Sequence, residues 1–488
     1  MDDIIQIERK DDVFIKVHCD GGTAMELSEY FTFKVPGYQF TPAYKNKLWD
    51  GNIRLFNMHT RLIYAGLRTH IEQFAQERAY DIEYLSEFSD TEFSLSEAEA
   101  FIKILKPTMQ PRDYQLAAFA HAIRTGRALL VSPTGSGKSF IQYLIAMYYQ
   151  SVFLSAKKTL IIVPTTGLVH QMSSDFMEYG LDEKYIHSIY SGEEKDTNRP
   201  IVITTWQSIF RMPKKWFDQF GCVLVDECHL AKAQSLTGIL TKLENCSYRF
   251  GFTGSLDGSL THALVIQGLL GAIKKVATTA ELIEQKHLAD FQIKAIVLKY
   301  SEETCKACRG LSYQDEMDFI VRNPNRNRFL RNLAISLKGN TLLLFQYVEK
   351  HGKLLYDDIK AAAGKRSVYF VHGGVEGEER EDIRKLVEQE TDAIIIASAG
   401  TFSTGVNIRN LHNIIFASPS KSKIRNLQSI GRGLRKGDSK EEAVLYDIAD
   451  DLTWKTKKNY TLLHFAKRVE LYNEEKFPYK LYSVQLKE

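Results

Sequence analysis

The sequence lacks long apolar runs and contains little cysteine. No stretch of about 18 uninterrupted apolar residues occurs in its 488 residues, so we expect no membrane-spanning helix and no membrane partner. The first residues, MDDIIQIERKDD, are acidic and have no apolar core, which argues against a secretory signal. Six cysteines are too few for a disulfide scaffold in a chain of this length, and they indicate reduced thiols in a cytoplasmic protein.

Two of these cysteines, Cys305 and Cys308, form a single CxxC pair. A tetrahedral zinc site needs four ligands, and no second pair with matching spacing follows. We therefore interpret the pair as reduced thiols and predict no zinc site.

A strong excess of either charge is also absent. The 63 Lys and Arg residues and the 60 Asp and Glu residues leave a net charge of +3. This balance neither requires nor excludes nucleic acid as a partner, because a basic face can exist within a neutral total. The stretch 34–70 nevertheless has six Lys or Arg and one acid, whereas 81–100 has seven acids and no Lys or Arg. Pro107 disfavours helix just before it, and we place a domain boundary near residue 105.

From about residue 106 onward, short apolar runs alternate with segments of helical periodicity. This alternation predicts an α/β fold with two consecutive parallel-sheet units, each covered on both faces. The stretch 298–330 has no clear period and is interpreted as a connector or insertion. We predict an N-terminal domain (1–105), a first lobe (106–290), a second lobe (291–452) and a C-terminal helical segment (453–488). The runs are ALLV (128–131), TLIIV (159–163), IVIT (201–204), CVLV (222–225), TLLLF (341–345), SVYFV (367–371), AIII (393–396), NIIF (413–416) and AVLY (443–446).

The strongest motif is SPTGSGKS, which lies between an apolar run and a helical pattern. Gly135 and Gly137 let backbone N–H groups turn towards phosphates without a side chain in the way. Lys138 supplies positive charge to the β- and γ-phosphates, and the Ser139 hydroxyl can ligate Mg²⁺. Ser132 replaces the first glycine of the usual pattern, where another small residue still fits. The predicted ATP-binding residues are Pro133, Thr134, Gly135, Ser136, Gly137, Lys138 and Ser139.

The second motif is DECH, which directly follows the run CVLV. A carboxylate at the end of a strand beside the phosphate loop can hold Mg²⁺, and we assign Asp226 this role together with Ser139. Its neighbour Glu227 can orient the attacking water or accept its proton. Lys138, Asp226 and Glu227 are therefore candidate catalytic residues.

The third motif is QSIGRGLRKG, which begins at Gln428. Arg432 and Arg435 are three positions apart, so one helical face can present both. An arginine placed opposite a γ-phosphate neutralises charge in the transition state, which is worth ~10³–10⁵ in rate. A solvated basic face is the alternative, since 421–440 holds seven Lys or Arg. We include Gln428, Arg432 and Arg435 among the candidate catalytic residues.

Taken in chain order, eight motifs resemble the motor core of superfamily two helicases and translocases. The resemblance covers about 340 residues and implies two RecA-like lobes that use ATP and Mg²⁺. It narrows to the recombination and repair helicases of bacteriophages through GYQFTPAYKNKLWDGNIRLFN (37–57) and NEEKFPYK (473–480). The eight motifs are RDYQ (112–115), SPTGSGKS (132–139), VPTTGL (163–168), TTWQS (204–208), DECH (226–229), TGS (253–255), FSTGVNI (402–408) and QSIGRGLR (428–435).

The resemblance also implies roles for individual residues. Arg112 and Gln115 would bind the nucleotide, with Gln115 at the adenine edge. Thr253, Gly254 and Ser255 would couple hydrolysis to movement, although this triplet departs from the commoner one with alanine in the middle. The residues implied along the nucleic-acid track are Pro164, Thr165, Thr204, Thr205 and Gln207 on the first lobe and Thr404 and Gly405 on the second.

The basic stretch of the N-terminal domain is also rich in aromatic residues. Cations can follow phosphates without reading sequence, and exposed aromatic rings can stack on bases. In a domain of this size most aromatic residues are needed for the core, and we expect Trp49, Phe40 and Phe56 there. The candidates for phosphate contact are Lys45, Lys47 and Arg54.

The leading hypothesis is an ATP-dependent helicase or translocase acting on branched or single-stranded DNA in recombination, repair and replication. The resemblance implies Holliday junctions, stalled forks, displacement loops and RNA–DNA hybrids as substrates, and a phage protein would work in the host cytoplasm. An RNA helicase or a duplex translocase that does not separate strands is one alternative. A nucleic-acid clamp gated by ATP is another, although a clamp needs neither Glu227 nor the two arginines. The sequence names no protein partner.

Overall fold

The structure is a computed structural model, and the chain folds as two compact units. The first unit is Met1–Ser132 with Gly137–Val276, and the second is Pro133–Ser136 with Ala277–Glu488. The described residues are 4–35, 37–88, 91–154, 156–190, 192–230, 234–254, 260–375, 377–401, 408, 410–419 and 442–487.

The N-terminal region of the first unit is a small α+β fold. Ile5 and Ile7 alternate with more exposed residues, as do Ile15 and Val17, so one face of the sheet is buried. Its four-stranded sheet has the order β5-β2-β1-β6, and β3 and β4 form a separate pair. The strands are β1 (Ile4–Arg9), β2 (Phe14–His18), β3 (Thr32–Lys34), β4 (Asn52–Arg54), β5 (Leu62–Tyr64) and β6 (Asp81–Tyr84). The helices are α1 (Gly21–Tyr30), α2 (Pro42–Lys45) and α3 (Arg68–Arg78), whereas the next helix, α4 (Leu95–Leu105), packs into the core of the parallel sheet that follows.

The rest of the first unit is a seven-stranded parallel sheet with the order β13-β7-β12-β11-β8-β10-β9. Its central strands are buried along their whole length because helices cover both faces. The strands are β7 (Arg127–Val131), β8 (Lys158–Val163), β9 (Ile186–Ile189), β10 (Ile201–Thr205), β11 (Phe220–Val225), β12 (Tyr248–Thr253) and β13 (Ile273–Lys275). The helices are α5 (Asp113–Thr125), α6 (Lys138–Phe153), α7 (Thr166–Glu178), α8 (Trp206–Ile209), α9 (Lys214–Phe217), α10 (Gln234–Lys242) and α11 (Leu260–Leu270).

The second unit contains another seven-stranded parallel sheet, with the order β16-β17-β15-β18-β19-β14-β20. The strands are β14 (Asp290–Lys299), β15 (Thr341–Phe345), β16 (Val368–Val371), β17 (Ile394–Ser398), β18 (Asn413–Phe416), β19 (Glu442–Asp451) and β20 (Tyr479–Gln485). The helices are α12 (Thr279–Glu284), α13 (Glu302–Ala307), α14 (Tyr313–Arg322), α15 (Pro324–Ser336), α16 (Lys353–Ala362), α17 (Gly377–Gln389) and α18 (Tyr460–Glu474).

The predicted fold class is confirmed, with two differences in the second unit. The stretch 298–330, interpreted as a connector, contains α13, α14 and the start of α15. The C-terminal segment forms the predicted helix α18, but it then adds β20, which pairs in parallel with β14. Helices α13 and α14 bury only one side and no residue of β20 is buried, so polar residues interrupt the apolar period in all three elements.

Two buried ion pairs hold the C-terminal segment and α15 to β19. Arg468 of α18 donates to Asp447 through Nε and Nη2, at 2.9 and 2.8 Å, and both side chains are almost fully buried. The Tyr472 hydroxyl donates to the same carboxylate at 2.8 Å. Arg326 pairs in the same way with Asp450, at 2.7 and 3.0 Å. These contacts make α18 an integral part of the second sheet's cover.

The N-terminal region packs on α11 where two glycines allow close approach. A Cβ added to Gly66 would lie 2.1 Å from the carbonyl oxygen of Gln267, and one added to Gly268 would lie 2.8 Å from Cβ of Tyr64. Backbone and side-chain atoms thus occupy the space that a side chain would need, so glycine allows the two surfaces to touch. The N-terminal region is thereby fixed to the first parallel sheet's cover.

Replacing Gly66 with alanine is expected to lower the free energy of unfolding by ~1–3 kcal/mol, because the methyl group must push the backbone of α11 away. Thermal or denaturant unfolding of the full chain measures this change. Gly21→Ala is the matched control, since nothing lies within 4 Å of an added Cβ there. A Gly66→Ala protein as stable as the control would contradict the close contact.

Of the three aromatic residues expected in the N-terminal core, only Phe56 belongs to it. Phe56 is buried at 1% exposure, whereas Phe40 is 73% exposed. Trp49 is half-buried, and its indole N–H donates to the carbonyl of Asn52 at 2.8 Å. Phe40 lies in a short 3₁₀ turn that starts after Gly37, and this turn presents the ring to solvent.

None of the described helices combines the length and apolar character required to cross a bilayer. The six cysteines are free thiols. Among the described residues, no group of three or more His, Cys, Asp and Glu side chains is arranged to hold a metal ion.

Candidate active site and nucleic-acid edge

The candidate motifs that follow strands of the first parallel sheet begin at one edge of that sheet. All strands of this sheet are parallel, so the segments that follow them leave at the same edge. The phosphate loop follows β7, the TGS motif ends β12, and DECH follows β11. The VPTTGL and TTWQS motifs follow β8 and β10, which are the next strands along. The expected ATP residues and the expected nucleic-acid residues are therefore neighbours on one edge.

The phosphate loop has the backbone that its glycines predict. Gly135 and Gly137 have φ values of 87° and 79°, a region that side chains rarely adopt. Helix α6 begins at Lys138, so its free N–H groups face the loop. The Lys138 ammonium donates to the carbonyl of Ser132 at 3.2 Å, which keeps the cation folded over the loop. An anionic phosphate group suits this combination of charge and backbone donors.

Gln115 is packed against this loop. Its Oε1 accepts from the backbone N–H of Arg112 at 2.9 Å, and the side chain is 5% exposed. A Cβ added to Gly137 would lie 2.3 Å from Gln115 Nε2. The Arg112 guanidinium donates to the hydroxyl of Tyr114 at 3.0 Å. Gly137 is therefore required for two reasons, its backbone conformation and the space that Gln115 takes.

Two polar residues of α6 face the carboxylates and an aromatic hydroxyl. Ser139 Oγ lies 2.9 Å from the hydroxyl of Tyr179, and the Gln142 amide donates to Asp226 Oδ1 at 3.3 Å. Gln142 is fully buried. Neither Gln142 nor Tyr179 is predicted from the sequence, because only the folded helix brings them to the motif residues.

The environment of Asp226 fits a divalent cation. Burial, with the nearby Glu227 carboxylate, raises the pKa of Asp226 to about 7, and Lys138 opposes this rise. A carboxylate kept from water next to a second negative charge is stabilised when a cation joins it. Mg²⁺ is usually held by one or two carboxylates together with substrate phosphates, so a larger cluster of ligands is not needed. The residues present, Ser139 and Asp226, are thus suitable ligands.

Glu227 has an unusual backbone conformation and a buried histidine beside it. Its φ of 47° lies in the left-handed region, which costs energy for a residue with a side chain. Glu227 Oε2 lies 3.2 Å from Nδ1 of His229, and the same nitrogen lies 2.8 Å from Oγ1 of Thr253. His229 is 2% exposed and Thr253 is fully buried. A chain of polar contacts therefore joins the DECH motif to the TGS motif.

The expected nucleic-acid residues of the first lobe lie together, with one correction. Gln207 Nε2 donates to the carbonyl of Pro164 at 3.5 Å, and Thr165 caps the N-terminus of α7. Thr205 Oγ1 lies 2.9 Å from Ser208 Oγ. The correction concerns exposure, because Thr204, Thr205 and Pro164 are all buried, whereas Thr165 is half-buried and Gln207 is exposed.

The three candidate cations of the N-terminal region differ in their partners. Lys45 and Lys47 are exposed, and Lys47 has a left-handed backbone with φ of 56°. Arg54 forms an ion pair with Asp50, and this contact holds the pKa of Asp50 below its usual range. Part of the charge of Arg54 is thus already neutralised, which makes it a weaker candidate than the two lysines.

Several predicted site residues lie outside the described residues. These are Ser255, Thr404, Gly405, Gln428, Arg432 and Arg435.

Three protein-family models match this chain. "Type III restriction enzyme, res subunit" matches residues 108–257, "DNA helicase UvsW, N-terminal" matches 3–84, and "Helicase conserved C-terminal domain" matches 325–437. The three matches follow the N-terminal sheet, the first parallel sheet and part of the second.

Similar whole proteins include a phage helicase. The ATP-dependent DNA helicase UvsW of Enterobacteria phage T4 is 37% identical over 99% of this chain and 100% of its own length. A DNA 3'-5' translocase of Sulfurisphaera tokodaii is 25% identical over 71% of this chain and 82% of its own. The crystal structure of T4 UvsW has a TM-score of 0.52, with 34% identity and full coverage of both chains.

The likeness to T4 UvsW extends over 99% of this chain, and it therefore includes the N-terminal sheet as well as both helicase sheets. This chain therefore belongs to the UvsW-like helicases of superfamily two and is an ATP-dependent DNA helicase.

Proposed function

We propose that this helicase hydrolyses ATP at the edge of its first sheet and remodels branched DNA. The observation that supports this most is the contact chain from Glu227 through His229 to Thr253, with distances of 3.2 and 2.8 Å. A pure binding protein has no need for a carboxylate that is linked through a buried histidine to a second motif. Through these contacts, a change at Glu227 during ATP hydrolysis can alter the position of the TGS motif.

In the proposed mechanism, the phosphate loop and Lys138 bind the β- and γ-phosphates. Ser139 and Asp226 are the ligands for Mg²⁺, which neutralises phosphate charge when it is bound. Glu227 orients the attacking water and takes its proton, and general bases of this kind contribute ~10²–10⁴ in rate. Lys138, Asp226 and Glu227 thus divide binding, metal ligation and proton transfer among them.

The buried His229 is proposed to report the state of Glu227 to the TGS motif. His229 Nδ1 lies within hydrogen-bonding distance of both Glu227 and Thr253. When the Glu227 carboxylate takes up a proton, its attraction for His229 weakens and the hydrogen bond to Thr253 is favoured. Gly254 and Ser255 then pass the change to the nucleic-acid edge. Gln428, Arg432 and Arg435 are proposed on their motif alone as the residues that neutralise the γ-phosphate.

On the first lobe, Thr165 and Gln207 are proposed to contact the nucleic-acid backbone, supported by the buried Pro164, Thr204 and Thr205. On the second lobe, Thr404 and Gly405 are proposed to make the corresponding contacts. The proposed substrates are Holliday junctions, stalled forks, displacement loops and RNA–DNA hybrids, in phage recombination, repair and replication control. Support comes from the T4 relative, which is an ATP-dependent DNA helicase. The host cytoplasm is the proposed location, and the division 1–105, 106–290, 291–452 and 453–488 is the proposed domain organisation.

The N-terminal region is proposed to hold the branch of the DNA. Lys45 and Lys47 are exposed beside the exposed ring of Phe40, so charge and a stacking surface occur together. This region is fixed to α11 by Gly66 and Gly268. A contact made there therefore moves with the first lobe.

Reversing the charges with Lys45→Glu and Lys47→Glu is expected to weaken binding to a four-way junction about tenfold or more at moderate salt, because two phosphate contacts become repulsive. The rate of ATP hydrolysis without DNA should stay the same, since neither lysine lies at the phosphate loop. Fluorescence anisotropy with a labelled junction and phosphate release measure the two quantities.

The phosphate-release assay, repeated with single-stranded, duplex and four-way-junction DNA, tests which substrate the helicase prefers. We expect the junction to stimulate hydrolysis more than the duplex does.

The matched control for the Lys45/Lys47 variant is Lys338→Glu with Lys365→Glu, because it makes the same charge change at exposed sites that precede β15 and β16. Equal junction affinity for the Lys45/Lys47 variant and this control would reject the N-terminal contact.

A further inference from the structure

A rigid, basic turn joins β19 to α18 in the second unit. Trp454 and Lys457 exchange backbone hydrogen bonds of 3.2 and 3.1 Å, which closes a two-residue hairpin. Lys455, Lys457 and Lys458 are all exposed. We name residues 454–459 the lysine turn.

The base of the lysine turn is fixed by buried contacts. Asn459 accepts from the Leu452 N–H at 3.0 Å and donates to the Asp450 carbonyl at 3.1 Å. The Trp454 ring packs against the core of the second unit. The lysines are therefore held on a fixed support, and ordering them on a ligand costs less entropy than ordering a free loop.

One lysine of the turn has a strained backbone. Lys455 has a φ of 55°, where glycine or asparagine is the usual residue. A lysine in this conformation costs stability and contributes nothing to the core, since it is exposed. Strain of this kind concentrates at functional sites, which makes the residue a candidate for binding.

Exposed aromatic rings lie beside the turn. Tyr460 is 45% exposed and Tyr313 of α14 is 38% exposed, and their ring centroids are 6.2 Å apart. Tyr313 also lies 5.3 Å from the ring of His464. Glu316 of α14 accepts from the backbone N–H groups of Tyr460 and Thr461, at 2.9 and 2.7 Å, so the start of α18 is clamped to α14. The two tyrosines are therefore held in place like the lysines.

The topology puts this surface on the edge of the second sheet where its strands end. The lysine turn follows β19, and the segment with Tyr313 follows β14, which pairs in parallel with β19. Strand β17, which precedes the FSTGVNI motif, is three positions from β19 in the sheet. With about 4.8 Å between neighbouring β-strands, the distance from β17 to β19 is about 14 Å. A single strand of nucleic acid that rises about 3.4 Å per nucleotide covers this distance with about four nucleotides.

We propose that the lysine turn and the Tyr313–Tyr460 pair form a second binding surface for a single strand of nucleic acid on the second lobe. The phosphates would lie on Lys455, Lys457 and Lys458, and an unpaired base would stack on an exposed tyrosine ring. This inference rests on the proposed function, because it extends the same strand beyond the FSTGVNI motif. The surface has no part in binding ATP.

The test compares a lysine variant, Lys455→Gln with Lys457→Gln and Lys458→Gln, with the wild-type full chain. The probe is a fluorescein-labelled oligothymidylate of about 20 nucleotides, titrated at several salt concentrations. Losing three phosphate contacts should lower the slope of log affinity against log salt by about 2, at ~0.7 per contact on single strands. ATP hydrolysis without DNA should not change, and circular dichroism checks the fold.

A second variant, Tyr313→Leu with Tyr460→Leu, separates stacking from charge. It should weaken binding about tenfold, as expected for the loss of one stacked base, and leave the salt slope unchanged. The matched control is Lys338→Gln with Lys365→Gln and Lys385→Gln, three exposed lysines that precede β15, β16 and β17. A lysine variant with the control's slope and affinity would overturn the second surface. A wild-type chain that binds no oligothymidylate would overturn both this surface and the proposed function.

Discussion

Glu227→Gln is expected to bind ATP normally and to hydrolyse it ~10²–10⁴ times more slowly, because the amide cannot take a proton from water. The change keeps the size of the side chain and its place 3.2 Å from His229, so the phosphate loop is not disturbed. Phosphate release with saturating single-stranded DNA measures the rate, and a fluorescent ATP analogue measures binding. Both are needed, since a loss of binding would mimic a loss of chemistry.

Glu303→Gln is the control for this experiment, because it makes the same chemical change at an exposed position on α13. It should hydrolyse ATP like the wild type. If the Glu227→Gln protein remodels a four-way junction at the wild-type rate, hydrolysis does not drive the remodelling. The ATP-gated clamp would then be the better description of the chain.

Arg468→Met is expected to lower the free energy of unfolding by ~3–5 kcal/mol, since it leaves the buried carboxylate of Asp447 without its cation. The two side chains are 2% and 0% exposed, so water cannot replace the lost partner. Denaturant unfolding followed by circular dichroism measures the change. Because the pair joins α18 to β19, we expect the loss to appear in the transition of the second unit.

A double variant distinguishes the lost charge from lost packing. Arg468→Met with Asp447→Asn removes both charges and keeps an acceptor for the Tyr472 hydroxyl, which lies at 2.8 Å. It should recover at least half of the stability lost in the single variant. Lys467→Met, at an exposed neighbouring position, should change stability by no more than ~0.5 kcal/mol. A single variant as stable as this control would show that the pair contributes little.

Most of the strands that sequence reasoning found are buried on both faces, although the half-buried edge strand β16 was found as well. TLLLF and NIIF are uninterrupted apolar runs, and they match β15 and β18 to the residue. Strand β12 was missed because it carries Arg249, a fully buried arginine. That guanidinium donates to the carbonyls of Leu240, Leu243 and Leu269, which come from separate elements. The buried charge of Arg249 is stable only because these carbonyls accept its hydrogen bonds. The sequence around Arg249 does not show that they will lie there.

The candidate site divides in the same way. The phosphate loop and the acidic pair were predicted because their chemistry is contained in a few consecutive residues. The part played by His229 was not predicted, because its partner Thr253 lies 24 positions away. Phe40 was expected in the core on the argument that a small domain needs its aromatic residues, yet the 3₁₀ turn after Gly37 exposes it. Sites formed by consecutive residues could therefore be predicted from the sequence, whereas contacts between residues that only folding brings together could not.

The place of β14 in the second sheet has a consequence for the newborn chain. This strand lies between β19 and β20, and the residues it pairs with are 152 positions later in β19 and 186 positions later in β20. A ribosome adding about 5–20 residues per second needs roughly ten to forty seconds to deliver both strands. During that interval the apolar side chains of β14 have no neighbours on either side. Strand β14 would therefore be the most exposed binding site for a molecular chaperone during synthesis. The first unit would already be folded when β19 and β20 complete the second sheet.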